Sequence, residues 1–331
     1  MLQPGVKFLV FVLAIFVAGC NESQPGTGSG NTKVRLQLNW FPEPEFGGIY
    51  EAKRKGLFEK AGLDVELLKG GPEVPAPQMV ASGRVEFGVV SAPQLLTLRS
   101  QGGTLTGIFS TFQKYPRGIA VRADSKYETL EQLWKSSATV MGQDGLAFIK
   151  WLNLTYGGKS LAFVPYAGSL APFISGKVDA MQCFATSEPV QLEIDGVTNR
   201  VFLVADTGYD PYVAVIAVND TVLKENPEMV DKFVGALREG WRSYLNAPRK
   251  TNELLHSLNP DLSTEVLKLS STFLPRFVES DLTRKNAIGW MDLERWNALA
   301  SQLVKLGELS KDAVVKTGTV YVNPPISPKD S

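Results

Sequence analysis

Aromatic side chains gather where the apolar, strand-like runs of this chain end. A flat ring in a loop can stack on a flat ligand, and stacking with desolvation contributes on the order of 1–3 kcal/mol per ring. A single ring is more often part of a core, but repetition at successive run ends favours a binding surface for an aromatic molecule. The rings in these positions are Trp40, Phe41, Phe46, Tyr115, Tyr166, Phe184, Tyr209 and Tyr212. The ligand contacts that we predict among them are Trp40, Phe41, Tyr115, Tyr166 and Tyr209.

Acidic side chains occupy the same run ends. A carboxylate accepts paired hydrogen bonds and can therefore hold an amino-substituted heterocycle or a cation. We expect Glu188, in "TSEP", to contact a ligand, and Glu45, in "PEPEF", to lie beside it. Two alternatives stay open: Glu188 as an acid that interacts with a helix dipole, and Glu43 and Glu45 as solvated loop charges. The full set is Glu43, Glu45, Asp144, Glu188 and Asp210.

Helix starts next to these loops offer backbone donors. Gly47 and Gly48 open a predicted helix, where N–H groups lack intrahelical partners and no Cβ obstructs a ligand. Ser91, in "VSAP", stands at a second helix start, either as a cap alone or as a cap whose neighbours touch the ligand. We therefore add Gly47 and Ser91 to the predicted ligand contacts.

The elements that must position these residues alternate between strand and helix. Runs such as "VRLQLNW", "LDVELLK" and "VEFGVVS" are separated by helical patterns, and a second series of the same kind follows Pro116. This alternation predicts an α/β fold, and ligands of open parallel sheets bind outside the carboxyl ends of the strands. We predict one lobe from residues 34–114 and 210–322, which includes the C-terminal helices, and a second lobe from 115–209. Two crossing segments would join the lobes, with the ligand cleft between them.

The N-terminal residues have the pattern of a secretory signal. Lys7 precedes "FLVFVLAIFVAGC", whose apolar run is too short to cross about 30 Å of hydrocarbon as a helix. The ending "VAGC" resembles the lipobox of bacterial lipoproteins, in which cleavage occurs before the cysteine and lipid is attached to its thiol. We expect a signal peptide at 1–19, a lipid on Cys20 and a flexible tether at 20–33. The alternative is ordinary signal cleavage that leaves a free cysteine.

Patterns for catalysis or metal binding are weak. The one histidine, His256, lies in a helical region far in sequence from the strand ends, and Cys183 lies in an apolar strand. The sequence contains no Cys and His cluster with metal-ligand spacing, and no Walker or GxSxG motif. Because 34 basic residues balance 34 acidic ones, no net charge favours nucleic acid. We therefore expect a binding protein without metal or cofactor, and not an enzyme.

Together these segments resemble the solute-binding components of ABC importers. The resemblance is greatest to the branch that contains thiamine-pyrimidine precursor proteins, with relatives for alkanesulfonates and riboflavin. It lies in "LNWFPEPEFGGIYEAKRKGLFEKAGLDVEL", "ASGRVEFGVVSAPQLL", "FVPYAGSLAPFISGKVDAMQCFATSEPVQLE" and "DTGYDPYVAVIAVND". The resemblance implies a type II periplasmic-binding-protein fold that closes over one small molecule. It further implies that Trp40 stacks on a heterocycle, that Glu188 receives its N–H groups and that Tyr209 flanks it at the hinge.

Two departures from this branch leave the ligand open. Pyrimidine-type relatives often carry a histidine in the loop before the glycine pair, where this chain has Glu45 and Phe46. They usually have asparagine before the second-lobe glutamate, where this chain has Ser187. A changed specificity would therefore show first at these positions.

The expected function is that of a lipid-anchored substrate-binding protein of an ABC importer in the bacterial cell envelope, in the periplasm or on the outer face of the membrane. It would bind an aromatic nitrogen heterocycle, such as a thiamine pyrimidine precursor or riboflavin, as a monomer, and deliver it to a permease with its ATPase. One alternative is an alkanesulfonate or other small-anion binding protein, which Arg117 and Arg122 near the first crossing would suit. A sensing receptor without transport and a secreted enzyme are the others.

Overall fold

The computed structural model describes residues 30–157, 161–166, 169–311 and 316–326. The predicted signal peptide, Cys20 and most of the tether lie outside these ranges. Within them the strands are β1 (Thr32–Gln37), β2 (Leu63–Leu68), β3 (Phe87–Val90), β4 (Leu105–Phe112), β5 (Arg117–Arg122), β6 (Thr139–Met141), β7 (Ala162–Val164), β8 (Ala180–Phe184), β9 (Asn199–Leu203) and β10 (Val213–Asn219).

Helices connect the strands and form most of the C-terminal third. Within the described part of the chain, no helix combines the length and the apolar character that a membrane crossing requires. The helices are α1 (Gly47–Arg54), α2 (Leu57–Lys60), α3 (Ala76–Ala81), α4 (Ala92–Ser100), α5 (Leu130–Trp134), α6 (Ala147–Tyr156), α7 (Ala171–Ile174), α8 (Glu188–Ile194), α9 (Asp220–Glu225), α10 (Pro227–Asn246), α11 (Arg249–Leu258), α12 (Thr264–Phe273), α13 (Pro275–Val278), α14 (Asp281–Lys285) and α15 (Leu293–Lys305). Short 3-10 helices occupy Pro44–Phe46, Val204–Thr207 and Thr317–Thr319.

The strands form two sheets, and each sheet is the centre of a lobe. Lobe 1 has the order β2-β1-β3-β10-β4, with α1 to α4 and α9 to α15, and lobe 2 has the order β7-β6-β8-β5-β9, with α5 to α8. The predicted two-lobed α/β fold is therefore confirmed. The expectation of parallel sheets is wrong in one respect, because β10 and β5 run antiparallel to both of their neighbours. Each of these strands is the first after a crossing, so the chain enters each lobe against the direction of its other paired strands.

Helix α1 packs closely on the 20-residue helix α10. A Cβ on Gly47 would lie 2.0 Å from the Tyr244 ring, and one on Gly48 would lie 2.2 Å from the Trp241 ring. Trp241 belongs to an apolar stripe whose four-residue spacing predicts a core-facing side of α10, and the structure confirms this because its ring is fully buried. The glycine pair is thus required by packing within lobe 1.

The two crossing segments, 113–116 and 204–212, lie between the sheets. Tyr115 of the first and Tyr209 of the second are buried, and both belong to an apolar cluster that contains residues of both lobes. The crossings are therefore packed segments with a defined environment, and not free linkers.

The C-terminal residues 316–326 run along the edge of lobe 1. The Gly107 N–H of edge strand β4 donates to the Val320 carbonyl at 2.9 Å, and the Val322 N–H donates to the Gly107 carbonyl at 2.8 Å. Arg238 of α10, which is 1% exposed, donates to the carbonyls of Pro324 and Pro325 at 3.1 and 2.8 Å. This segment covers an edge strand that would otherwise present unpaired backbone groups.

Candidate functional site

An exposed pair of rings lies in the loop that follows β1. Trp40 and Phe41 are 38% and 37% exposed, and their rings meet edge to face with centroids 5.4 Å apart. The loop is fixed by its surroundings, since a Cβ on Gly70 would lie 2.3 Å from the Trp40 nitrogen and Asn259 Nδ2 donates to the Pro42 carbonyl at 3.0 Å. Two exposed rings on a fixed loop form a surface on which a flat ligand can stack.

Glu43 connects this loop to lobe 2. Trp40 Nε1–H donates to Glu43 Oε1 at 3.1 Å, and Ser187 Oγ–H of lobe 2 donates to Glu43 Oε2 at 3.5 Å. Burial raises the pKa of Glu43 well above its usual value, and the nearby carboxylates of Glu45 and Glu188 raise it further. Glu43 is half-buried and lies where the two lobes meet, so its carboxyl group has partners in both lobes.

Glu45 lies in the 3-10 helix Pro44–Phe46, directly before α1. Burial raises its pKa to about 7, while Arg117 opposes this increase and Glu188 adds to it. Glu45 is likewise half-buried. A carboxyl group that exchanges its proton near neutral pH can accept a hydrogen bond from a ligand or donate one to it.

Glu188 is the first residue of α8, and its Oε2 accepts the Phe184 N–H at 2.7 Å. Burial raises the pKa of Glu188, while this hydrogen bond and the charge of Arg117 oppose the increase. Burial also raises the pKa of Tyr166 to about 12, with the charges of Glu188 and Glu43 adding to the shift. The Tyr166 hydroxyl therefore lies within electrostatic reach of carboxyl groups from both lobes.

Arg117 supplies the positive charge next to these acids. It is the first residue of β5, pairs in register with Phe184 of β8, and holds its guanidinium carbon 5.6 Å from the centroid of the Phe148 ring. We call Glu43, Glu45, Glu188 and Arg117 the cleft charge set. The set offers several acceptors, one guanidinium donor group and carboxyl groups that can hold a proton. Within the described ranges, no three or more His, Cys, Asp or Glu side chains are grouped so that they could hold a metal ion.

Two predicted contacts have structural roles at helix starts. Gly47 is buried against Tyr244, so the absence of its Cβ is required by packing. Ser91 caps α4: its Oγ accepts the Gln94 N–H at 3.4 Å, and the Ser91 N–H donates to Gln94 Oε1 at 3.1 Å. Neither observation tests ligand contact, which stays a prediction for both residues.

The predicted tyrosines of the crossings face each other. Tyr115 and Tyr209 meet edge to face with centroids 6.0 Å apart, and the Trp151 ring lies 5.8 Å from Tyr209. Tyr209 is 1% exposed, which makes it part of the packing between the crossings in this conformation. Asp210, one of the acids noted at the strand ends, is paired with Arg295 at 3.0 Å.

The structure brings Trp40, Glu45, Tyr166 and Glu188 to the region around Glu43, and Phe41 packs on the Trp40 ring. Sequence reasoning did not select Glu43, Ser187 and Arg117 as contacts there. Glu43 and Ser187 each lie within three residues of a selected contact, so proximity in sequence could have indicated them. Arg117 follows the predicted contact Tyr115 by two residues and shares its face of the extended chain.

Two open grooves lie elsewhere on the surface. One of about 780 Å³ is lined by Arg35, Tyr50 and Leu254 among others, and one of about 350 Å³ is lined by residues that include Val190 and Phe277. Neither is lined by a predicted ligand contact. His256, the single histidine, is occupied in α11, where its Nδ1 lies 2.7 Å from the Leu262 carbonyl.

The sequence of this chain is similar to the sequences of both binding proteins and enzymes. Riboflavin-binding protein RibY of Chloroflexus aurantiacus is 26% identical over 334 residues, which cover 94% of this chain and 95% of RibY. The 4-amino-5-hydroxymethyl-2-methylpyrimidine phosphate synthase THI12 of Saccharomyces cerevisiae is 26% identical over 249 residues, which cover 67% of this chain and 73% of the yeast protein.

Comparison with solved structures identifies the fold. The periplasmic aliphatic sulphonate binding protein SsuA of Escherichia coli matches with a TM-score of 0.65 at 14% identity, over 89% of this chain and 94% of SsuA. The chain therefore has the fold of periplasmic binding proteins. A family model described as NMT1/THI5 like matches residues 43–251, which is more than half of the 331-residue chain. The chain thus belongs to the NMT1/THI5-like family.

Proposed function

We propose that this protein is the extracytoplasmic substrate-binding component of an ABC importer and that it binds an aromatic nitrogen heterocycle between its lobes. The observation that carries this proposal is the contact of Glu43 with Trp40 on one side and with Ser187 of lobe 2 on the other. It places an exposed indole ring next to carboxyl groups from both lobes. A heterocycle needs such a combination, because its faces are apolar and its edges carry N–H groups and acceptors.

The ring faces and the ring edges would be recognised by different residues. Trp40 and Phe41 stack on the plane of the ligand, and burying that plane removes apolar surface from water. Glu188 has a second oxygen besides the one that accepts the Phe184 N–H, and this oxygen accepts a ring or amino N–H. Glu45, with a pKa of about 7, donates to a ring carbonyl when protonated and accepts when ionised.

The relatives support a vitamin-like heterocycle. RibY is named for riboflavin, and the yeast relative is named for a substituted aminopyrimidine phosphate. Both names refer to nitrogen heterocycles. The synthase name leaves an enzymatic alternative, which would need reactive side chains at the site. The single histidine lies in α11 and is bonded to a backbone carbonyl, and burial raises the pKa of the Cys183 thiol well above its usual value. These observations favour a receptor.

Transport would depend on movement of the two lobes relative to each other. Ligand binding would bring the lobes together, and the closed form would present its outer faces to the permease, whose ATPase drives import. A lipid on Cys20 and the tether 20–33 would keep the receptor at the membrane. Fractionation of cells tests the anchor: the wild-type protein should sediment with membranes, and the Cys20→Ser variant should not.

A ligand screen tests the proposed function. Riboflavin, 4-amino-5-hydroxymethyl-2-methylpyrimidine and an alkanesulfonate are added separately, and the midpoint of thermal unfolding is measured. A ligand that binds only the folded protein at 100 times its Kd stabilises it by about 2.7 kcal/mol, so one of the two heterocycles should raise the midpoint clearly. If neither heterocycle changes the midpoint, the heterocycle proposal is wrong.

A matched pair of variants then locates the site by calorimetry. Glu188→Gln should raise the Kd of the heterocycle about tenfold, because a carboxylate forms stronger hydrogen bonds than an amide. Glu193→Gln is the control, since Glu193 lies on the same helix but is exposed. Equal affinities of the two variants would exclude Glu188 as a contact.

The alternative ligand, an alkanesulfonate, would bind to Arg117, because a guanidinium group binds anions well. The three carboxyl groups of the cleft charge set oppose an anion, which is why we prefer the heterocycle. A thermal shift with the sulfonate alone, lost in Arg117→Gln, would reverse this preference.

A further inference from the structure

One side chain of α15 binds both crossing segments. Arg295 Nη1–H donates to the Gln113 carbonyl of the first crossing at 2.5 Å. In the second crossing, its Nε–H donates to the Asp210 carbonyl at 2.5 Å, and its Nη2–H donates to Asp210 Oδ1 at 3.0 Å and to the Pro211 carbonyl at 3.1 Å. The guanidinium carbon also lies 4.0 Å from the centroid of the Tyr212 ring. Only a planar guanidinium offers so many donors in one plane with a face free for stacking.

Asp210 connects the crossings directly. Its Oδ1 accepts the Tyr115 N–H of the first crossing at 2.7 Å, and the same oxygen accepts from Arg295. The side chains of Arg295 and Asp210 are 14% and 37% exposed, so solvent screens this pair less than a fully exposed pair. A second pair between the crossings, Lys114 with Asp206, is 43% and 63% exposed and contributes little.

Helix α15, which carries Arg295, is packed firmly in lobe 1. Asp292 Oδ1 caps the helix by accepting the Arg295 N–H at 2.9 Å, and Trp296 is fully buried one residue later. Tyr212 is held to the same cap, since its hydroxyl donates to Asp292 Oδ2 at 3.3 Å. Arg295 therefore positions both crossings relative to the core of lobe 1.

Strand β10, which follows the second crossing, begins with an unusual backbone conformation. Ala214, two residues after Tyr212, has φ +50° and is 5% exposed. Residues other than glycine rarely adopt this left-handed region, and they remain there only where surrounding contacts hold them. The chain therefore leaves the second crossing through a strained residue, whose conformation has to be held by the packing around it.

We propose that Arg295 and Asp210 form a hinge clasp that sets the resting angle between the lobes, and that Arg295 is thus a positioning residue for ligand binding. The clasp restricts how far the crossings can move apart, so the ligand-free protein samples a narrow range of lobe angles. Its effect on lobe angle is independent of the ligand, whereas its effect on affinity rests on the proposed function.

Two variants and one control test the clasp. Arg295→Lys keeps the charge but loses the planar set of donors, and Asp210→Asn keeps an acceptor for the Tyr115 N–H but loses the charge. Arg284→Lys is the control, because Arg284 is 63% exposed and pairs with Asp281 on its own short helix. Asp210→Asn also serves as the second test if Arg295→Lys folds poorly.

The first measurement is the distribution of distances between spin labels on the two lobes. The labels are placed at exposed positions by Glu73→Cys in lobe 1 and Gln143→Cys in lobe 2, in a Cys20→Ser background. Without ligand, both clasp variants should broaden the distribution, while the control should match the wild type. Distributions of unchanged width and centre in both clasp variants would overturn the proposal.

Hydrogen exchange and ligand binding complete the test. The Tyr115 amide should exchange faster in both clasp variants, while amides of β1 to β3 exchange at the wild-type rate; a uniform increase would instead indicate general destabilisation and overturn a hinge role. With riboflavin as the probe, the Kd should rise about threefold to tenfold, because a smaller fraction of molecules has the binding-competent angle. If riboflavin does not bind the wild type, the proposed ligand fails, but the distance measurement still decides the clasp.

Discussion

Two groups of carboxyl side chains in lobe 1 have opposite surroundings. Glu51 of α1 is 1% exposed and accepts from Arg54 Nε and Nη2, both at 2.9 Å, from Ser243 Oγ at 2.7 Å and from Thr251 Oγ1. Burial alone would raise the pKa of Glu51, but the hydrogen bonds from Arg54, Thr251 and Ser243 lower it overall.

Glu43 and Glu45 lie only a few residues earlier in the chain and have raised pKa values. Trp40 and Ser187 donate to Glu43, but the other nearby groups include further carboxyl groups, which repel its charge. The contrast shows that the partners of a carboxyl group indicate its role better than its removal from water does. Glu51 has the partners of a structural residue, whereas the cleft acids retain unused hydrogen-bonding capacity, which a ligand can satisfy.

The largest effect should come from removing the structural acid. Glu51→Leu leaves Arg54 without its partner in a partly buried site, and we expect the free energy of unfolding to fall by about 3 kcal/mol. Urea denaturation measures this change. Glu253→Leu is the control, because Glu253 is 58% exposed and its pair with Arg249 contributes little. A loss below about 1 kcal/mol for Glu51→Leu would remove the distinction between the two groups.

Removing the exposed Trp40 ring should have the opposite consequence, with a large effect on ligand affinity and a small one on the free energy of unfolding. Trp40→Ala should raise the Kd of the bound heterocycle at least tenfold, which is about 1.4 kcal/mol, and abolish the ligand-induced change in tryptophan fluorescence. The control is Leu258→Ala, another exposed apolar residue of lobe 1. Unchanged binding by Trp40→Ala would exclude this ring from the site.

The smallest effect should be a dependence of binding on pH. With the lobes together, the pKa of Glu45 is about 7, compared with 4.5 for a free side chain, so the closed cleft favours the protonated form. This contribution is present at low pH and is lost as the pH rises through about 7. The groups that face Glu45 are Glu43, Glu188 and Arg117, with Tyr166 near the first two. For a neutral ligand such as riboflavin, the Kd should therefore fall as the pH is lowered from 8 to 6, by at most about tenfold in total for one proton.

Glu45→Gln provides the comparison for this titration, because the amide cannot ionise. Its Kd should vary less with pH than that of the wild type, while Glu193→Gln should keep the wild-type profile. A cationic ligand would show the opposite sign, since ionised carboxylates attract it and protons compete with it. A flat profile in the wild type would mean that Glu45 does not titrate on binding.

The fold was more accessible to sequence reasoning than the site. Alternating strand and helix patterns predicted two α/β lobes, and an apolar stripe predicted the buried side of α10, because periodicity reports burial directly. The antiparallel direction of β5 and β10 was missed, since direction depends on how a chain returns to a sheet and leaves no mark in the residues of one strand.

At the site, residue type predicted candidates but not their partners. The acids at strand ends were all noted, yet Asp210 pairs with Arg295, which lies 85 residues later in the chain. Glycine gave a similar ambiguity: the pair at Gly47 and Gly48 could open a helix to a ligand or admit rings of α10, and only the position of α10 shows the packing. Long-range pairing of this kind cannot be read from spacing within one segment.

The C-terminal segment along β4 has a consequence for the order of folding. Every described strand of lobe 2 lies between residues 117 and 203, so this lobe can form before the later residues of the chain are available. The sheet of lobe 1 is complete only when β10 has inserted between β3 and β4 and when Val320 and Val322 have bonded to its edge. Until then β3 and β4 would lack the strand that separates them, and exposed strands of this kind promote aggregation. The last described residues thus complete the lobe that the first strand begins, and a truncation there would slow the assembly of lobe 1 while leaving lobe 2 able to form.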